Sequence, residues 1–139
     1  MGSISLVGIV AATVVAFVSG AVWFGPKTFF PIWWRAMGKP EGATPGEGHS
    51  MGVVFGSTFV GVIVQAIVMS LVIAKLNESA DVAPAQGALV GFLLGVGFAA
   101  APSLSHRLFG QQGFKVWLIE VASDVLNLTL IGLVIATLS

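Results

Sequence analysis

The chain has 139 residues, of which 56% are hydrophobic and only 9% are charged. A soluble domain carries about 25% charged residues, so this composition excludes an ordinary water-soluble protein and predicts an integral membrane protein. Six basic and six acidic residues give no net charge, which argues against nucleic-acid binding, and the absence of cysteine excludes disulfides and zinc–thiolate sites. We expect one membrane domain over residues 1–139.

Four apolar stretches are long enough to cross a bilayer, which takes about 20 helical residues. They predict helices at about 4–24, 51–76, 85–104 and 115–138. The predicted fold class is therefore an all-α membrane protein, a bundle of four transmembrane helices. A cleaved signal peptide is the alternative for the first stretch, because Ser19-Gly20-Ala21 resembles a cleavage site. No base precedes that stretch, which favours a retained helix.

Small residues recur at every fourth position of the first and third predicted helices. Such a face lets another helix backbone approach closely, which drives helix packing in lipid. The alternative is that glycine and alanine are simply common in membrane helices. We predict that these two helices form a close-packing pair, within the chain or across a homo-oligomer. The two seams are Gly8, Ala12, Ala16 and Gly20, and Gly87, Gly91, Gly95 and Ala99.

The segment at about 27–39 combines aromatic and basic side chains after the helix-breaking Gly25-Pro26. Aromatic residues beside bases mark the bilayer interface, so we predict a short interfacial helix between the first and second spans. A lid or a lipid-headgroup-binding element is the alternative. The predicted interface anchors are Trp23, Trp33, Trp34, Arg35 and Trp117.

A polar loop rich in glycine and proline follows this segment. Glu47 and His49 lie in it, but two ligands in a flexible loop make a poor metal site. We predict neither a metal nor a cofactor.

The fourth predicted helix carries an acidic stripe, formed by Glu120, Asp124 and Asn127. At about 100° per residue these side chains fall within roughly 60° of one another. A charge at the bilayer centre costs about 2.5–3.5 kcal/mol on translocon-insertion scales. We therefore expect neighbouring protein to shelter the stripe from lipid.

Two interpretations of the stripe are open. In the structural one, Glu120 pairs with Arg107 near the interface, and Asp124 is protonated or hydrogen-bonded by its neighbours. In the transport one, the acids form a path for protons or cations with His106 at its mouth. The candidate residues are Glu120, Asp124, Asn127, Gln65, His106 and Arg107.

The leading functional prediction is a structural or accessory membrane subunit that self-associates or binds a larger complex. An oligomeric proton- or cation-coupled channel or transporter is the alternative. An enzyme is least favoured, because no nucleophile, metal cluster or phosphate-binding loop accompanies the acids.

Basic residues are concentrated in two of the three connections. By the positive-inside rule, the loops at 25–50 and 105–114 are expected in the cytoplasm and both termini outside. The bases in or next to those two connections are Lys27, Arg35, Lys39, Arg107 and Lys115, whereas only Lys75 lies next to the second connection.

Short motifs resemble a known family across nearly the whole chain. They are Gly20-Ala21-Val22-Trp23-Phe24-Gly25-Pro26 with Trp34 and Met37-Gly38-Lys39, then Arg107-Leu108-Phe109-Gly110 with Lys115, Leu118-Ile119 and Gly132. Together they resemble the bacterial four-helix membrane family catalogued as domain of unknown function 1761. The resemblance implies a four-span bacterial membrane protein and no established activity. We expect the protein in the bacterial inner (plasma) membrane. That family often has an aromatic–His pair where this chain has Ser123-Asp124, so the resemblance does not extend to the acid.

Overall fold

The computed structural model describes residues 5–39 and 51–138. Throughout these residues the regular structure is helical, which confirms the predicted all-α class. Four helical stretches, one of them assembled from α4, a π-helical segment and α5, are long and apolar enough to cross a membrane. Ile4, Glu47 and His49 lie outside the described residues. The helices are α1 Leu6–Trp23, α2 Phe30–Ala36, α3 Met51–Asn77, α4 Pro84–Leu94, α5 Ala101–Phe109 and α6 Gly113–Leu138, with the π-helical segment at Gly95–Ala100.

Local hydrogen bonds and prolines account for the helix ends. The Ser5 hydroxyl accepts a hydrogen bond from the Gly8 amide at 3.0 Å and caps the start of α1. Pro84 opens α4, where its missing amide proton costs no helical hydrogen bond. The third span runs to Phe109, beyond the end predicted near residue 104. Pro102 does not interrupt it, because this proline falls in the first turn of α5. A proline there does not stop the helix.

Helix α6 lies at the centre of the bundle and packs against α1, α2, α3, α4 and α5. Its second half meets α1 and the second half of α3 in the hydrophobic core. The largest side chains of this core are each at most 2% exposed; they are Met69, Ile73, Ile131 and Ile135. The complete core cluster is Ala12, Ala16, Val62, Ala66, Met69, Ile73, Ile131 and Ile135.

The glycines of α4 pack directly on the backbone of α6. A Cβ at Gly91 would overlap the Leu128 carbonyl, and one at Gly87 would overlap the carbonyl of Gly132. On the other side of the bundle, Gly8, Ala12 and Ala16 are buried, and Gly20 faces the Asn127 amide group. Both seams therefore include residues that contact α6.

The predicted pairing of the first and third spans is wrong within the chain. Among the described residues, α1 and α4 hardly touch each other, because α6 lies between them. Gly132 gives α6 a small residue opposite Gly87, and this lets two backbones meet there. The sequence pattern located two packing faces but not their common partner.

The π-helical segment changes which residue continues the α4 seam. Gly87, Gly91 and Gly95 are buried, but Ala99 is only half-buried and Ala100 takes the next buried position. A π turn inserts one extra residue, so the spacing of four becomes five after Gly95.

Candidate functional site

Arg107 and Glu120 form an ion pair at the end of the bundle where α5 leads into α6. Arg107 Nε lies 2.6 Å from Glu120 Oε1, and Nη2 donates to Oε2 at 2.8 Å. The Arg107 and Glu120 side chains are 33% and 17% exposed, so other parts of the protein cover most of the surface of the pair. This is the pairing that the structural interpretation of the stripe predicted.

A tight turn brings these two residues together. Arg107 lies in the last turn of α5, and the chain reverses through Gln111 and Gly113, which have φ angles of 63° and 87°. Positive φ is favourable for glycine and uncommon for other residues, so Gly113 suits this reversal. The Arg107 Nη1 group also donates to Gln112 Oε1 within the turn.

The interfacial helix α2 supplies a third contact to the carboxylate. Trp33 Nε1 donates to Glu120 Oε2 at 2.9 Å. The helix folds back toward the bundle after Gly25-Pro26, and the Trp23 and Phe29 rings meet with centroids 4.4 Å apart. Glu120 thus accepts hydrogen bonds from both connections at this end of the molecule.

Two further tryptophans form hydrogen bonds between spans. Trp23 Nε1 donates to the Ile119 carbonyl at 3.0 Å, and Trp117 Nε1 donates to the Ala100 carbonyl at 2.9 Å. Trp34 stacks on Phe30. An indole buries a large apolar ring and one donor, which suits a site where hydrocarbon meets polar groups.

The structure separates the three members of the acidic stripe. Glu120 is paired and Asn127 is half-buried, but Asp124 is exposed on the bundle surface. Within residues 5–39 and 51–138, Asp124 has no hydrogen-bond or ion-pair partner. The buried Oδ1 atom of Asn127 is also left without a hydrogen bond. Glu120 and Asn127 are thus sheltered by neighbouring protein as the sequence predicts, whereas Asp124 is not.

The remaining predicted residues do not join this cluster. Gln65 is exposed on α3, and its side chain bonds no acid of α6 in the described part of the chain. His106 is exposed at the end of α5 and does not contact Glu120 through a hydrogen bond. The structure therefore provides no continuous chain of hydrogen bonds from His106 to Asp124 through the residues it describes.

The first half of α3 is more exposed than the second, although its Phe59 ring packs edge-on against Phe17 of α1 with centroids 5.7 Å apart. Among residues 52–77 of this helix, the buried ones begin at Val62, whereas residues 52–61 are exposed or half-buried. A Cβ at Gly56 or Gly61 would meet nothing within 4 Å. Gln65 on α3 and Asp124 on α6 are both exposed. The second halves of these two helices pack together in the core.

Sequence reasoning missed two partners of the ion pair. The sequence pattern indicates Trp33 only as an interface anchor and does not identify Gln112. Trp33 lies 87 positions before its partner Glu120. Gln112 lies five positions after its partner Arg107. The proximity of Gln112 to Arg107 in a turn was the available signal for the second contact. No local signal identifies the first.

No group of three or more His, Asp or Glu side chains in the described residues could hold a metal ion. The site combines an ion pair at the end of the bundle with an exposed acid, Asp124, that lies one helical turn further along α6 and has no hydrogen-bond or ion-pair partner in the described residues.

Four apolar spans with a short helix folded against one end define a small polytopic α-helical membrane protein. The chain belongs to the family described as "Protein of unknown function (DUF1761)", whose model matches residues 7–136. The predicted family resemblance is thereby confirmed. No curated protein and no solved structure matches the chain.

Proposed function

We propose that this protein is a structural subunit of the membrane that self-associates, with a second copy of the chain covering Asp124. The observation that carries the proposal is that Asp124, near the middle of its span, is exposed and has no hydrogen-bond or ion-pair partner among the described residues. A charged or unsatisfied carboxyl in hydrocarbon costs several kcal/mol, so another protein surface stabilises it. The proposal assigns no catalytic step to the chain.

A second copy offers a suitable hydrogen-bond donor in Gln65. At 1.5 Å per residue, Gln65 lies about 21 Å along α3 from Met51, and Asp124 about 17 Å along α6 from Gly113. Successive spans alternate in direction, so α3 and α6 run the same way and both side chains have similar depth. In a two-fold dimer, the Gln65 amide of each copy then meets the Asp124 carboxyl of the other.

The same face of α3 allows a close approach. Gly61 lies one turn before Gln65 and has open space around it. A glycine at such a position lets a second helix backbone come near enough for the amide and carboxyl groups to bond.

The test measures oligomeric state in liposomes by single-molecule photobleaching over a range of protein-to-lipid ratios. Asp124→Leu and Gln65→Leu should each shift the wild-type dimer toward monomer, whereas Asp124→Asn retains hydrogen bonding and should remain largely dimeric. Val64→Leu, at an exposed neighbouring position on α3, is the matched control. A wild-type protein that stays monomeric at every ratio contradicts the proposal.

A proton- or cation-conducting oligomer is the second candidate, favoured by the position of Asp124 one turn from Glu120. Liposomes loaded with a pH-sensitive dye separate the two functions. Wild-type flux that Asp124→Asn abolishes, while the oligomer stays intact, supports conduction. Absence of flux in wild type and variant alike supports the structural role.

We further propose a bacterial plasma-membrane location with both termini outside and the loops at 25–50 and 105–114 in the cytoplasm. Bases concentrated at one end of the bundle support this orientation. Because the chain has no cysteine, single substitutions give clean labelling sites. Lys27→Cys should resist a membrane-impermeant thiol reagent in whole cells, and Ser79→Cys should react; the reverse pattern contradicts the orientation.

A further inference from the structure

We propose that a surface cavity between α2 and α6 binds the phosphate of an anionic phospholipid headgroup. Ile32, Arg35 and Ala36 of the interfacial helix line the cavity together with Lys115 in the first turn of α6. Its volume is about 350 Å³, enough for a glycerophosphate headgroup and the start of an acyl chain.

Two cations, Arg35 and Lys115, line this cavity. Arg35 and Lys115 are both exposed, and neither has a carboxylate within ion-pair distance in the described residues. The nearby acid Glu120 is already occupied by Arg107 and Trp33. Arg35 and Lys115 are thus left to attract an external anion, and guanidinium matches phosphate oxygens in a bidentate geometry.

The other two lining residues favour a lipid over a soluble anion. Ile32 is 39% exposed and Ala36 adds further apolar surface to the same cavity. The cavity also lies on α2, whose aromatic side chains Trp33 and Trp34 mark the level where headgroups meet acyl chains. Basic pockets between membrane helices at this level recognise anionic headgroups.

The opposite end of the bundle gives a contrast. Its described charges are Lys75, Glu78 and Asp81, and Lys75 is paired with Glu78 at 2.8 Å. In the described residues, bases without an ion-pair partner that line a cavity are therefore found at the end that carries α2.

The experiment uses full-length protein in mixed detergent–lipid micelles and native mass spectrometry with phosphatidylglycerol or phosphatidylcholine. Each cation near an anionic lipid surface is worth about a fivefold change in affinity. Arg35→Gln and Lys115→Gln should each weaken phosphatidylglycerol retention about fivefold, and the double variant about 25-fold. Phosphatidylcholine retention should stay unchanged. Arg35→Lys should restore part of the binding.

Lys27→Gln is the matched control, because Lys27 is an exposed base at the same end but does not line the cavity. Equal loss in this variant would assign the effect to general surface charge and overturn the site. Competition by millimolar glycerol phosphate would identify a soluble phosphate ligand and overturn the lipid assignment. Circular dichroism and a monodisperse elution profile show that each variant compared is folded.

Discussion

Arg107 and Glu120 lie thirteen residues apart in the sequence and form a two-point ion pair, with Nε–Oε1 at 2.6 Å and Nη2–Oε2 at 2.8 Å. The pair closes the turn between the third and fourth spans. Trp33 adds a hydrogen bond from the interfacial helix, so one carboxylate connects three elements of the protein. This arrangement removes the Glu120 charge from lipid without any contribution from a partner subunit.

Neutralising either member of this pair should destabilise the protein. Arg107→Gln and Glu120→Gln are each expected to lower the free energy of unfolding by about 2 kcal/mol, because each leaves a partly buried charge without its partner. The double variant should lose less than the sum of the two. Unfolding titrations in mixed micelles measure the effect, and Glu78→Gln, in an exposed pair, should change little. Additive losses would show that the two side chains do not interact.

Trp33→Phe should weaken the attachment of α2 to the bundle. The variant keeps an aromatic ring but loses the donor to Glu120, at an expected cost of about 1 kcal/mol in the free energy of unfolding. Trp34→Phe is the control, since no hydrogen bond is assigned to the Trp34 indole in the described structure. Limited proteolysis between α1 and α3 reports the loosening. Equal cleavage in both variants would rule out a specific role of the Trp33 hydrogen bond.

Gly91→Ala should disturb folding of the single chain. The added methyl group overlaps the Leu128 carbonyl, so α4 and α6 must move apart, at an expected cost of about 1–3 kcal/mol. Gly97→Ala adds the same group on the same span where nothing lies within 4 Å, and should be tolerated. Thermal unfolding in detergent compares them. A shift only in oligomeric state for Gly91→Ala would place this seam between subunits.

Asn127→Leu should preserve or raise stability. The buried Oδ1 atom of Asn127 has no hydrogen-bond partner, so an apolar side chain of similar size removes a desolvation cost of about 1 kcal/mol. Asn77→Leu should have the opposite effect, because Asn77 Oδ1 accepts from the Val82 amide at 2.7 Å. Both are measured as changes in the free energy of unfolding. A loss of stability in Asn127→Leu would reveal a bonding partner for this amide, such as a bound water or a second subunit.

The sequence by itself determined the number of spans, the interfacial helix and the family. Each of these depends on a local property: the length of an apolar run, a Gly-Pro break, or tryptophans beside bases. The pairing of Glu120 with Arg107 could also be predicted from the sequence, because only a short turn separates α5 from α6. The local pattern predicted this contact, but it did not predict the contact of Arg107 with Gln112 five positions away.

The tertiary structure decided which faces meet. Lipid and a protein core are both apolar, so hydropathy does not distinguish a lipid-facing side chain from a packed one. The central place of α6, the contact from Trp33 to Glu120 and the exposure of Asp124 depend on how helices rotate against each other. The π turn illustrates the same limit, because one inserted residue moved the buried position from Ala99 to Ala100. Such rotations arise from packing between distant segments, which no single stretch of sequence contains.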